Sequence, residues 1–284
     1  MTEDNLKALV EKVVQELSIR QTGDPACSIE EGSVPDLSAV DLRNELATPN
    51  PANAEEFLRI KATSAARLGV WRAGPRYRTK TLLRFRADHA VAMDAVFTDV
   101  SEDLLKRNGL LCVSTLCSSK DDFLTRPDLG RKFAPETIAL LKSKCKMNPQ
   151  AQIFVSDGLS STAVEANLEN ILPSILQGLE SLGIKSGTPF FVKYGRVGVM
   201  DEISQALGAE VTVVLLGERP GLATGESLSA YMTYKGYPGM PEAGRTVVSN
   251  IHKGGTNAVE AGAHIASMIS EMLKQKASGL DLKL

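Results

Sequence analysis

Four loops in the second half of the chain carry the side chains best suited to binding a ligand. Each follows an apolar run, and together they cover residues 156–161, 194–198, 217–227 and 249–257. The first offers hydroxyls and the Asp157 carboxylate at a helix start, which suits an anion or a ribose-like hydroxyl, or else plain helix capping. The second places Arg196 between two glycines, and a guanidinium can fork onto a phosphate or carboxylate.

The third and fourth loops are also rich in glycine and charge. The third is long and carries Glu218 and Arg219, and it is either functional or a solvated connection whose charges pair with neighbours. The fourth ends in Gly254, Gly255 and a threonine cap, which together can cradle a phosphate. His252 lies just before them, and a histidine with no visible partner is more often a hydrogen-bonded structural residue than an acid or base.

Familiar catalytic motifs are missing from the sequence. It contains no Walker lysine motif, no nucleophile elbow and no HExxH motif. Its four cysteines and three histidines lack the spacing of a structural zinc site. The loops therefore predict a binding rim without a complete active site, which favours a subunit that holds a cofactor while a partner chain performs the chemistry.

The segments around these loops alternate between strand and helix patterns. Runs that are apolar on every residue predict strands buried on both faces, with helices as the crossovers of a parallel sheet. The predicted strands cover residues 110–118, 151–156, 188–193, 211–216, 229–234 and 245–249, and the predicted helices 135–147, 161–182, 199–207 and 256–277. The expected fold is α/β, a Rossmann-like open and mostly parallel sheet with flanking helices. All four loops should meet at the carboxyl edge of that sheet, where ligands bind.

Four segments are predicted along the chain. Residues 1–17 form an amphipathic helix, residues 18–51 a Gly- and Pro-containing linker, residues 52–109 a helical basic docking segment, and residues 110–284 the α/β domain. A detached helix with one apolar stripe docks on a partner or on a shell-like surface, unless it folds back on its own domain.

Basic charge is concentrated in the docking segment. Between residues 57 and 86 there are nine basic side chains and no acidic ones, although the net charge of the chain is -2. An acidic protein partner or a bound phosphate explains this better than nucleic acid, because the segment lacks interleaved aromatics and a recognised binding motif. No run is long enough to span a membrane and nothing resembles a secretory signal, so a reducing cytoplasm is expected.

Eight longer motifs occur in order along the chain: RAGPR at 72–76, LTRPD at 124–128, SDGLS at 156–160, GTPFFV at 187–192, YGRV at 194–197, GERPGL at 217–222, SNIH at 249–252 and QKASG at 275–279. Through these motifs the sequence resembles the small subunit of ethanolamine ammonia-lyase, an adenosylcobalamin-dependent enzyme of two different chains. The resemblance spans nearly everything after residue 70.

The resemblance implies a large partner subunit that binds ethanolamine, with the corrin lying between the two chains. Family contacts with the cofactor fall on Val197, Glu218 and Val247, and Arg196 would help to seat its periphery. Some relatives carry Cys at the position of Val247, and a backbone contact would survive that difference. The cofactor keeps its own nucleotide base on cobalt, in keeping with the absence of a D-x-H-x-x-G motif from this sequence.

The implied chemistry is the conversion of ethanolamine to acetaldehyde and ammonia, with the hard chemistry belonging to the cofactor and no proton-transfer catalyst in this chain. The basic helices would dock on an acidic face of the large subunit. The N-terminal helix resembles the short tags that send enzymes into bacterial microcompartments, which implies that location within the bacterial cytoplasm. Nucleic acid and membranes are not expected partners.

Two interpretations from other classes remain open at the level of sequence. One is a self-contained nucleotide-dependent α/β enzyme, which would need a Gly-rich turn after its first strand and an acidic residue after its second, and neither is clear. The other is a non-enzymatic adaptor that carries partners to a microcompartment shell. Deleting the N-terminal helix separates these ideas, because an adaptor would lose its whole function and a lyase subunit only its location.

Overall fold

A computed structural model of the protein describes residues 36–64 and 66–283. The predicted N-terminal helix, with its implied role in targeting, and the first half of the predicted linker lie outside these residues. The chain divides into two units, Met1–Ala39 and Val40–Leu284. Of the first unit the structure describes one 3₁₀ turn, Leu37–Ala39. The second unit contains both the basic segment and the α/β region, and the predicted boundary near residue 109 stays a prediction.

The second unit begins with helices and a small hairpin. Its first regular elements are α1 (Ala54–Ala62), β1 (Arg72–Ala73), β2 (Arg76–Tyr77), α2 (Thr79–Phe97) and α3 (Glu102–Arg107). The stretch predicted as a loop between the helices forms the antiparallel pair β1–β2, because Gly74 takes a φ of +62° in the turn that joins them. The predicted cap of α3 is confirmed, since the Ser101 side chain accepts a hydrogen bond from the Leu104 N–H.

A six-stranded sheet forms the centre of the α/β region. Its strands are β3 (Leu111–Ser114), β4 (Ala151–Ser156), β5 (Phe190–Lys193), β6 (Val211–Gly217), β7 (Leu228–Tyr234) and β8 (Thr246–Ile251). They lie in the order β3-β5-β4-β6-β7-β8. The first four are parallel, whereas β7 is antiparallel to both β6 and β8. The prediction of a mostly parallel α/β sheet is confirmed.

Helices cover both faces of the parallel strands β4, β5 and β6. They are α4 (Lys120–Thr125), α5 (Pro135–Lys144), α6 (Ser161–Ser181), α7 (Val199–Leu207) and α8 (Ala258–Gln275). Helices α6 and α8 pack with one apolar cluster and α5 and α7 with the other. These sides are called the α6 face and the α7 face. Every residue of β4 and β6 is buried, as their mostly apolar sequence predicts.

The outer strand β8 departs from that pattern. Val248 packs against the cluster on the α6 face, so its neighbour Val247 points to the α7 face, where its side chain is 45% exposed. The expectation that the fourth run is buried on both faces is wrong. Helices α5 and α7 contribute their buried side chains over β4, β5 and β6, and their cover ends before the last strand.

Candidate functional site

All four predicted loops meet at one edge of the sheet. The loops after β4, β5 and β6 do so because those strands are parallel. The loop after β8 joins them because Gly217, at the end of β6, pairs with Leu228, which in turn pairs with Ile251 at the end of β8. Strand β7 runs opposite to β6, and β8 runs opposite to β7. Strand β8 therefore runs in the same direction as β6 and ends at the same edge.

The first loop holds a buried carboxylate rather than a surface cap. Asp157 is 1% exposed, and its Oδ1 accepts hydrogen bonds from the Tyr194 N–H at 2.8 Å and the Gly158 N–H at 2.9 Å. Its Oδ2 has no hydrogen-bond partner among the described residues. Burial raises the pKa of Asp157 to about 6, against the opposing effect of the Lys120 ammonium. The cap of α6 is Ser160, whose side chain accepts from the Ala163 N–H.

The second loop turns its guanidinium inward. The Arg196 Nη2 donates to the Phe123 carbonyl oxygen at 2.5 Å, and the group lies 4.1 Å above the Phe123 ring. Burial lowers the pKa of Arg196 from its ordinary value. Val197 follows at half-buried depth and packs against the apolar cluster of the α7 face. In this arrangement Arg196 braces the loop from within, and Val197 lies nearer the surface.

The third loop begins with a hydrogen-bonded acid. The Tyr231 hydroxyl donates to the Glu218 Oε1 at 2.7 Å. Burial and this neighbouring carboxylate raise the pKa of Tyr231, which therefore stays a hydrogen-bond donor. Tyr231 packs on the α7 face and lies beside Val247 in the sheet register. Glu218, Tyr231 and Val247 thus form one continuous group on the α7 face.

A cross-strand row shows how this face opens. Phe190, Phe154, Val214, Tyr231 and Val247 are neighbours in turn on five adjacent strands. The first three are completely buried, Tyr231 is partly buried, and Val247 is 45% exposed. The sheet therefore leaves apolar surface uncovered next to the Glu218 carboxylate. Tyr231, Val247 and Glu218 together are called the open strip below.

The fourth loop satisfies its histidine locally. The His252 Nε2 lies 2.9 Å from the Asn250 Oδ1, and its Nδ1 accepts from the Gly254 N–H at 3.1 Å. This agrees with the prediction of a hydrogen-bonded structural histidine. Within residues 36–64 and 66–283, no group of three or more His, Cys, Asp or Glu side chains could hold a metal ion. None of the described helices is long and apolar enough to cross a membrane.

Sequence reasoning missed a buried lysine at this edge. Lys120 lies at the start of α4, with a side chain only 10% exposed and its Nζ 3.8 Å from the Asp157 Oδ2. Burial lowers the pKa of Lys120, and the Asp157 carboxylate opposes that shift. Nothing in the local sequence marks a lysine followed by two aspartates as buried. Its only signal is long-range, because Asp157 follows a strand that must end at the same edge.

Fold and site together define a class of protein: an open α/β protein that offers ligands a rim of four loops and a bare strip on one face. The family model described as ethanolamine ammonia-lyase light chain (EutC) matches residues 54–283 of the chain. The chain belongs to this family.

Full-length relatives agree with the family match. The chain is 58% identical to the ethanolamine ammonia-lyase small subunit of Clostridium tetani over 100% of this chain and 99% of the relative. It is 54% identical to the small subunits of Fusobacterium nucleatum and Clostridioides difficile, each covering 100% of both chains. Likeness at this level over whole chains indicates the same fold throughout the described region.

Proposed function

We propose that this chain is the small subunit of adenosylcobalamin-dependent ethanolamine ammonia-lyase and helps to hold the cofactor against the large subunit. One observation carries the proposal. The three positions implied by the family resemblance, Val197, Glu218 and Val247, all lie on the α7 face, and Glu218 and Val247 lie on the side where the helical cover ends.

The open strip suits the chemistry of a corrin. A corrin presents methyl groups and amide side chains at its periphery, and these need apolar contacts and hydrogen-bond acceptors. Val247 offers exposed apolar surface, and Glu218 offers a carboxylate with one oxygen already fixed by Tyr231. The other Glu218 oxygen has no hydrogen-bond partner among the described residues, which leaves it free to accept an amide N–H.

The residues of this chain bind and orient, and they are assigned no proton transfer. When bound, the cofactor supplies the radical chemistry of the reaction. Arg196 acts on the cofactor's periphery through the position of its loop, because its Nη2 is already bonded to the Phe123 carbonyl. Tyr231 holds the Glu218 carboxylate in place, which reduces the entropy that Glu218 loses on binding.

The exposed arginines of the basic segment support docking on an acidic face of the large subunit. Six of its nine basic side chains bond to groups of this chain, namely Arg59, Lys61, Arg67, Arg72, Lys80 and Arg84. Arg76, Arg78 and Arg86 are exposed, and the described residues provide no ion pair for them. Their charges remain available to a partner.

The finer assignments complete the proposal. The sheet acts in the Rossmann-like manner, with its ligand at the carboxyl edge, although its first strand is at the border rather than in the centre as in the usual doubly wound order. Residues 1–17, for which only the sequence predicts an amphipathic helix, carry the enzyme into a microcompartment of the bacterial cytoplasm, where the shell is a further partner.

The test is acetaldehyde production from ethanolamine and adenosylcobalamin by a matching large subunit, with and without this chain. We expect activity only when both chains are present. A large subunit that works equally well alone would show that this chain is an accessory, and the adaptor interpretation would then replace the proposal.

A further inference from the structure

Lys120 occupies an unusual environment at the carboxyl edge. Its Nζ lies 5.4 Å from the centre of the Phe123 ring and 5.4 Å from the centre of the Tyr194 ring. The nearest carboxylate oxygen is the Asp157 Oδ2 at 3.8 Å, which is too far for a hydrogen bond. Both atoms are buried without a hydrogen-bond partner among the described residues. Two aromatic rings and one carboxylate form the kind of cage that binds an ammonium ion, and this group is called the Lys120 cage.

This placement is costly unless the cage compensates for it. A buried ammonium loses its hydration, and a cation in the first turn of a helix also faces the positive end of the helix dipole. Lys120 has both disadvantages, because it is 10% exposed and is the first residue of α4. The interactions of the Lys120 cage are therefore what keeps the ammonium in the interior.

The cage fills the position where α/β sheets usually bind their ligands. Strands β4 and β5 are neighbours, but the helix after β4 packs on the α6 face and the helix after β5 on the α7 face. The crevice between two such strands is the topological switch point. Here Asp157 and Tyr194 line it, and Lys120 and Phe123 pack against them. The crevice is thus occupied by the chain's own ammonium.

The cage also fixes the loop that carries Val197. Tyr194 has a φ of +60°, an unfavourable conformation for a residue with a side chain. It is held by its N–H bond to Asp157 and by the Thr115 Oγ1, which donates to the Tyr194 carbonyl oxygen at 3.0 Å. The next link is the Arg196 N–H, which donates to the Gly130 carbonyl oxygen at 2.8 Å. A series of hydrogen bonds along residues 194–196 therefore links the Lys120 cage to the backbone next to Val197.

We propose that Lys120 is a positioning residue for the cofactor. Its ammonium, held between Phe123, Tyr194 and Asp157, keeps the 194–197 loop in the conformation that presents Val197 to the cofactor. The inference rests on the proposed function, because it assumes that this loop borders cobalamin. The inference adds that Lys120 controls the affinity for cobalamin through the 194–197 loop rather than by touching the cofactor.

The experiment measures equilibrium binding of cyanocobalamin to the assembled two-chain complex by dialysis, without turnover. Lys120→Ala and Lys120→Met remove the ammonium, and Met keeps most of the apolar stem. The matched control is Lys193→Met, because Lys193 lies 5.0 Å from the same Tyr194 ring but pairs with Asp99 and is 31% exposed. We expect both Lys120 variants to bind cyanocobalamin about tenfold more weakly, which is the size of effect seen when a residue that orients a binding group is removed. The control should change the affinity by less than about twofold.

Chemical rescue separates charge from volume. Added n-propylammonium replaces the atoms that Lys120→Ala removes beyond Cβ, so it should restore binding in a saturable manner. Propan-1-ol has the same length without the charge and should not. Equal rescue by both compounds would overturn the proposal, because it would make Lys120 a filler of space. Wild-type affinity in both Lys120 variants would also overturn it.

The remaining outcomes distinguish the two proposals. If the large subunit alone binds cyanocobalamin as tightly as the wild-type complex, the proposed function and the role of Lys120 both fail. If the complex binds more tightly and the Lys120 variants match it, only the role of Lys120 fails. Failure of both variants to assemble would contradict a positioning role, since it would make Lys120 a requirement of the fold.

Discussion

The two halves of the sheet are built for different purposes. Strands β3–β6 are parallel, and helices cover both sides of β4, β5 and β6. Strands β7 and β8 form an antiparallel extension whose α7 face is partly bare. In the covered half even the switch-point crevice is closed by Lys120 and Phe123. The comparison shows how a fold with a ready-made ligand crevice can close it and leave the flank of its sheet open instead.

The largest expected effect lies in the covered half. Phe154→Ala removes a ring that is completely buried and stacked 5.6 Å from Phe190. We expect the free energy of unfolding to fall by about 3–5 kcal/mol, because a cavity adds to the lost transfer energy. Val247→Ala on the open strip should cost less than about 1 kcal/mol. Urea unfolding of both variants checks the contrast, and similar losses at the two sites would contradict it.

A buried ion pair sets the next effect. The Arg245 Nη2 lies 2.7 Å from the Asp201 Oδ2, and the two side chains are 3% and 7% exposed. The pair ties the segment before β8 to α7. Arg245→Met should lower the free energy of unfolding by about 3 kcal/mol, because it leaves the carboxylate buried and unpaired.

The double variant Arg245→Met with Asp201→Leu is the control for that prediction. It removes both charges, so it should recover a large part of the stability in the same urea measurement. A double variant as unstable as the sum of its single changes would show that shape, rather than charge, determines the loss.

The Asp157 carboxyl group in the crevice should make the free energy of unfolding depend on pH. The folded-state pKa of Asp157 is about 6, raised from 3.8 by burial. Between these values the folded state binds more protons than the unfolded state, so the contribution of Asp157 falls as pH rises from about 4 to 6. Asp157→Asn lacks this dependence. The stability of wild type minus variant should therefore fall by roughly 2–3 kcal/mol over that window.

Unfolding free energies of both proteins measured from pH 4 to 7 supply the check. The second acid with a raised pKa, Asp201, is present in both proteins and cancels in the difference. A difference that rises with pH would mean that Asp157 is more easily ionised in the folded state than outside it.

The smallest effect on stability should come from Glu218. Glu218→Gln removes a charge at a half-buried rim position and should change the free energy of unfolding by less than about 0.5 kcal/mol. The apparent KM for cobalamin should nevertheless rise about tenfold, because hydrogen bonds to charged groups contribute strongly. The KM for ethanolamine should change much less. Steady-state kinetics of the two-chain enzyme measure both, and equal changes would count against the assigned contact.

Much of the fold was predictable because its signals are local. Continuous apolar runs identified β4 and β6, and Pro135 marked the start of α5. The partial exposure of β8 was not predictable, because an apolar run does not reveal whether a helix reaches far enough to cover it. The hairpin β1–β2 was missed because it depends on a two-residue turn between very short strands.

Some residues of the candidate site were likewise predictable from the sequence, and others were not. Glu218 and Val247 were predicted through family resemblance, and that prediction stays a prediction. The structure shows that both adjoin Tyr231, which sequence reasoning did not name. Lys120 was missed because its environment is assembled from three separated segments. Pairings of this kind depend on the register of strands, and that register is set by the whole sheet.

The exposed border of β8 also bears on how the chain is made. Among the described strands none pairs with its outer side, and Val247 lies on a partly bare face beside that free edge. A free edge next to apolar surface is a template for strand-to-strand aggregation unless something covers it. Production of this chain in excess of its partner should therefore yield insoluble material. Soluble yield should follow the supply of the large chain, which makes balanced synthesis of the two chains a requirement of the architecture.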